Sequence, residues 1–99
     1  MGNYRHIYRQ LTMYAYWENK AAKSLDPKLY REKVRRILEC LKVIKRDKIS
    51  TITYTIERQE TVYSVIFTFH KKDSQFKQAK FHLPLYYEKD LRKYMKEVK

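Results

Sequence analysis

Five residues near the amino terminus, Arg5, Arg9, Tyr16, Lys20 and Lys23, recur at spacings that place them on one stripe of a helix, with no acidic residue among them. Guanidinium and ammonium groups in such a row neutralise phosphates, and a tyrosine ring between them stacks on a base or a sugar. Arg35, on the outer face of a second helical segment, extends the set. The implied chemistry is docking onto a nucleic acid backbone by counterion release. The plainer alternative is a solvated outer helix face. In the run Tyr14-Ala15-Tyr16-Trp17, residues Tyr16 and Trp17 offer the anchors of a protein interface, because Tyr and Trp carry large contact areas at little entropic cost.

The remaining reactive residues are few and scattered. His6, His70 and His82 lack a further ligand at metal-binding spacing, so no metal site is expected. Cys40 falls at the margin of an apolar helical stripe, where a thiol behaves as a small hydrophobe, and no base is placed beside it. A single cysteine rules out an internal disulfide, and a single glycine, Gly2, rules out a glycine-rich phosphate loop or dinucleotide fingerprint. No catalytic residue and no cofactor follow from these residues. The expectation is a protein that binds and is not an enzyme.

Charge points the same way. Twenty-three Lys and Arg oppose eleven Asp and Glu, a formal charge of +12. Residues 1–48 hold thirteen of the basic side chains and five of the acidic ones, so two-thirds of the excess lies in the first half and not in a basic tail. A field of that sign draws polyanions over about a Debye length. No apolar run approaches the roughly 20 residues of a membrane-spanning helix, and no signal peptide is evident in MGNYRHIYRQ.

These side chains need elements to hold them. Over about Asn3 to Ala22, Tyr4, Ile7, Tyr8, Leu11, Tyr14, Ala15 and Ala22 share a helical stripe that Glu18 interrupts. Asp26-Pro27 opens a second helix, with Tyr30, Val34, Ile37, Leu38, Leu41 and Ile44 inward, running to about Arg46. Its outer residues include Glu32 and Glu39, spaced to pair with Arg35 and Lys42. Because the link Lys23–Leu25 is short, the two helices form a hairpin.

Period two follows in ISTITYTIE, TVYSVIFTFH and FKQAKFHL, which predicts three antiparallel strands. Matching the apolar faces sets Ile56 opposite Tyr63, Tyr54 opposite Val65 and Ile52 opposite Phe67, around a turn at Arg58–Thr61. It likewise sets Phe69 opposite Ala79 and Phe67 opposite Phe81, around a turn at Lys72–Gln75, with His82 facing Ile66. Pro84 ends the last strand and starts a helix with Tyr87, Leu91, Tyr94 and Val98 inward. The chain is thus one α+β domain over residues 1–99, ordered ααβββα, whose strand edges invite homodimerisation.

Two resemblances add expectations. The tyrosine- and lysine-heavy texture of YRHIY, YAYW and PLYYEKDLRKYMKEVK, with almost no glycine, resembles the small orphan proteins of filamentous viruses of hyperthermophilic archaea. That likeness implies a thermostable, dimeric viral protein located in the host cytoplasm or the virion. WENKAAKSLDPKLYREKVRRILECLK and VYSVIFTFHKKD are similar to the helical hairpin and core strand of the RelE/ParE-like toxins. This second likeness implies a ribosome-dependent messenger RNA ribonuclease, with Arg58, His70, Lys72, Lys80 and Tyr87 as its candidate residues.

Overall fold

The order of elements is the one that the periodicities predict. The computed structural model describes residues 5–21, 27–70 and 77–95, and over 17–21 it describes the helical backbone alone. Helix α1 spans Arg5–Ala21 and α2 spans Pro27–Asp47; strands β1 (Ile52–Arg58), β2 (Val62–Phe69) and β3 (Gln78–Pro84) follow, and a 3-10 turn at Leu85–Tyr87 leads into α3, Glu88–Arg92. The strands form an antiparallel meander in the order β1-β2-β3, so the fold is α+β.

Proline at the first position of α2 fits because the N–H it lacks would have no intrahelical partner there. The other end of α2 carries no such signal. Lys48 takes the left-handed conformation at φ 52°, and the Ile49 N–H donates to the Ile44 carbonyl at 3.2 Å. That six-to-one bond is the Schellman stop, with lysine at the position glycine normally holds. Half-buried Ile49 then packs onto the core beside Ile44.

Helices and sheet meet through one apolar layer. Ile7, Leu11 and Tyr14 of α1 are buried, as are Val34, Ile37, Leu41 and Ile44 of α2. Ile52, Tyr63, Val65, Phe67, Phe69, Ala79, Phe81 and Leu83 supply the sheet's inner face. α1 lies against β3 and α2 against β1. The Tyr8 ring meets Phe69 at 4.7 Å, and Phe67 meets Phe81 edge-on at 5.9 Å. Leu91 and Tyr94 close one end, where the Lys45 ammonium donates to the Lys93 carbonyl at 2.6 Å and lies over the Tyr94 ring.

The inward faces of the strands are those expected, but the pairing is displaced. Ile56 faces Val65, Tyr54 faces Phe67 and Ile52 faces Phe69, two residues from the predicted register. Phe67 faces Ala79 and Val65 faces Phe81, again two residues away. A slip of two keeps every side chain on its own side of the sheet, so alternation alone cannot detect it. Between β1 and β2 the turn decides it: the Gln59 N–H donates to the Val62 carbonyl at 2.8 Å, placing Glu60 and Thr61 at the tip. Neither tip residue has positive φ, as side chains with a Cβ prefer. The predicted turn at Lys72–Gln75, the Asp26 cap, the Lys23–Leu25 link, Tyr4, Ala22 and Val98 lie outside the described residues.

One further expectation changes. Pro84 closes β3 in an extended conformation (φ −58°, ψ 154°) and does not open the last helix, which starts at Glu88. Lys33, to which the apolar periodicity assigns no place, is buried at the margin of the α2 apolar stripe with its ammonium 5.2 Å from the Tyr30 ring centre.

Candidate nucleic-acid interface

On α1, burial of Ile7, Leu11 and Tyr14 fixes the rotation of the helix and turns the opposite stripe outward. Arg5, Arg9 and Tyr16 are exposed along it, Tyr16 by 57%. Arg5 and Arg9 stand one turn apart, about 6 Å along the axis. Met13, which the sequence reading passed over, joins them as an exposed apolar side chain. Tyr14 is buried, as its place on the apolar stripe predicts, so Tyr16 is the part of the Tyr14–Trp17 run that reaches solvent among the described side chains. The side chains of Trp17, Glu18 and Lys20, and the whole of Lys23, lie outside the described residues.

Helix α2 presents a mixed face. Arg35 is exposed, yet its guanidinium donates two hydrogen bonds to Glu32, at 2.6 and 3.2 Å. Arg36 donates to the same carboxylate at 3.0 Å. The Arg35 hydrogen bond holds the Glu32 carboxyl below its ordinary range, and the pairing raises the Arg35 value in return. A phosphate at Arg35 must therefore compete with a carboxylate already in place. The spacing of the residues anticipates this pair, whereas no ion pair joins Glu39 to Lys42 among the described residues. Arg46 pairs with its neighbour Asp47 at 2.9 Å. Lys28, Arg31 and Lys42 complete the exposed basic residues of this face.

The outer face of the sheet is polar, with Thr51, Thr53, Thr55, Gln78, Lys80 and His82 exposed. His70 Nε2 and Thr53 Oγ1 are 2.9 Å apart. His82 faces Ser64 and not Ile66, and Lys80 faces Ile66. Six residues of β2 now separate the rows of His70 and His82, about 20 Å along the strand. Between Glu57 and His82, the fully buried Ser64 hydroxyl has no hydrogen-bond partner among the described residues.

The ribonuclease candidates do not converge. Arg58 lies at the opposite end of the sheet from His70, facing Tyr63. Lys80 sits between the two ends on the outer face, and half-buried Tyr87 stacks edge-on with Tyr86 at 5.3 Å. Lys72 lies outside the described residues. Among the described residues, no group of three or more His, Cys, Asp or Glu could hold a metal ion. The Cys40 thiol is pushed up to about 12, chiefly by burial, and its sulfur lies 3.7 Å from the Gln10 amide oxygen. No helix among the described residues is long and apolar enough to cross a membrane.

Comparison with known proteins adds no relative to this picture: no family model, no curated protein and no solved structure matches the chain.

Proposed function

We infer that this is a non-enzymatic binding protein whose α1 outer face docks onto the phosphate backbone of a nucleic acid. Arg5 and Arg9 supply the charge, with Lys20 and Lys23 continuing the row by their spacing, and Tyr16 stacks on the nucleic acid. The observation that carries the reading is the joint exposure of Arg5, Arg9 and Tyr16 on one stripe, opposite the buried Ile7, Leu11 and Tyr14. Arg35 plays a lesser part because Glu32 already holds it. Contacts of this kind are directed at the backbone and carry little base specificity.

The test is a titration of labelled duplex DNA at several salt concentrations. Affinity is expected to fall by one or more decades between about 50 and 200 mM salt, as release of several counterions requires. The double substitution Arg5→Glu and Arg9→Glu is expected to flatten that slope by roughly one unit per lost contact. A flat salt response, or unchanged binding by the double variant, overturns the reading.

The exposure of Met13 beside Tyr16 supports a second reading, in which the same stripe binds a protein partner. Under it, replacing Tyr16 and Trp17 together by alanine abolishes capture of that partner, while salt has little effect.

A further inference from the structure

The two edges of the sheet differ in a way that bears on self-association. In an antiparallel ladder, alternate residues direct both backbone groups to the same neighbour. His70 N–H donates to Thr51 O, and Gln59 N–H to Val62 O. The odd-numbered residues 51–59 therefore face β2, and Ile52, Tyr54, Ile56 and Arg58 direct their N–H and C=O groups away from the sheet. By the same logic Phe69 N–H to Lys77 O leaves Gln78, Lys80, His82 and Pro84 facing outward on β3. That edge is interrupted: Pro84 has no N–H, and exposed Lys80 and His82 crowd it with charge or bulk.

β1 has none of these devices. Its sequence ITYTIER contains no proline, lysine or glycine, and Glu57 and Arg58 cancel in charge. Among the described residues, no backbone group bonds to its outward side. Its inner-face residues Tyr54 and Ile56 are also only half-buried, whereas Val65, Phe67, Phe81 and Leu83 on the other two strands are fully buried. An apolar rim and an unpaired backbone row thus coincide.

The geometry points to β1 of a second copy as the occupant of this edge, paired antiparallel about a two-fold axis through Thr55. In that register Ile52 meets Arg58 of the second copy and Tyr54 meets its Ile56, so all the outward-facing residues bond at once. Moving the axis to Tyr54 or Ile56 leaves Arg58 or Ile52 unpaired. Tyr54 against Ile56 is an aromatic–β-branched pair on the inner face, and Thr55 meets Thr55 on the outer face, both favourable cross-strand pairs. No like charges meet. A two-fold axis normal to the sheet keeps both helix layers on one side and closes the assembly at two copies.

The experiment is light scattering together with disulfide trapping on the full chain. The unmodified protein is expected at about twice its 12.3 kDa chain mass. Thr55 is a non-hydrogen-bonded position in the proposed ladder, where facing Cα atoms lie about 4.5 Å apart, within disulfide range. Thr55→Cys is therefore expected to cross-link on oxidation. Thr53→Cys, about 13 Å along the strand from its copy, is expected to stay uncrosslinked. The buried Cys40 thiol, pushed up to about 12, stays out of the reaction. Thr55→Lys places two ammonium groups face to face and is expected to halve the mass without changing the circular dichroism spectrum. Mixing it with Thr55→Asp is expected to restore the dimer. A monomer at every concentration, equal cross-linking at 53 and 55, or a dimer indifferent to Thr55→Lys each overturns the proposal. If Thr55→Lys fails to fold, the two cysteine variants decide alone.

Discussion

Three tyrosine hydroxyls tie this protein to pH. Tyr63 donates to the Glu88 carboxylate at 2.7 Å, and that bond, with burial, raises its titration above the ordinary value near 10. Tyr54 and Tyr94, whose rings meet edge-on at 6.2 Å, are raised mainly by burial. Each raised value means that the fold favours the neutral phenol. The stabilisation is therefore full below pH 10 and disappears as pH climbs through the folded-state values. Thermal melts are expected to hold level from neutral pH to about 9 and to fall steeply above 10. Tyr63→Phe is expected to lessen that alkaline loss, and an unchanged pH profile for this variant would refute the argument. The tyrosine positions on the core stripes were legible in the sequence. The Glu88 acceptor was not, because 25 residues separate donor and acceptor and only the meander brings them together.

At the scale of elements, helix phase and strand alternation were readable, because burying an apolar stripe fixes which way a helix or strand faces. Ends and registers were less so. The stop of α2 rests on Lys48 at φ 52°, a conformation that costs a residue with a Cβ roughly 1–2 kcal/mol. Lys48→Gly is accordingly expected to stabilise the protein by roughly 1 kcal/mol in urea unfolding, with the same slope and a higher midpoint. A lower midpoint would show that the lysine side chain contributes more than its backbone strain. The β1–β2 pairing moved by two residues because its turn settled on Glu60 and Thr61, and the β2–β3 pairing moved by two as well, a displacement to which hydrophobic alternation is blind.

Across the whole molecule, charge is divided unequally. The helical half, residues 1–48, has a net charge of +8, and residues 49–99 have ten basic against six acidic side chains. Repulsion within one layer of a structure only 20 Å thick works against the compact state. Raising salt from about 20 to 200 mM is expected to raise the melting temperature, since the Debye length shortens to under 10 Å over that range. A fall would mean that the pairs at Glu32 and Asp47 outweigh the repulsion. Salt thus has opposite signs in the two experiments: it strengthens the fold and weakens nucleic-acid binding.

By itself the sequence determined the α+β order, the faces of each element and the exposure of Arg5, Arg9 and Tyr16, because these depend on local period and on the single requirement that apolar stripes be buried. Tertiary structure alone decided that Glu32, already spaced to pair with Arg35, also takes Arg36, that Lys33 is buried, that Ser64 is sealed with no hydrogen-bond partner among the described residues, and that β1 is the bare edge. These outcomes depend on which residues distant in the chain become neighbours, or on which of several near partners a side chain takes. Neither is encoded in the spacing of any one segment.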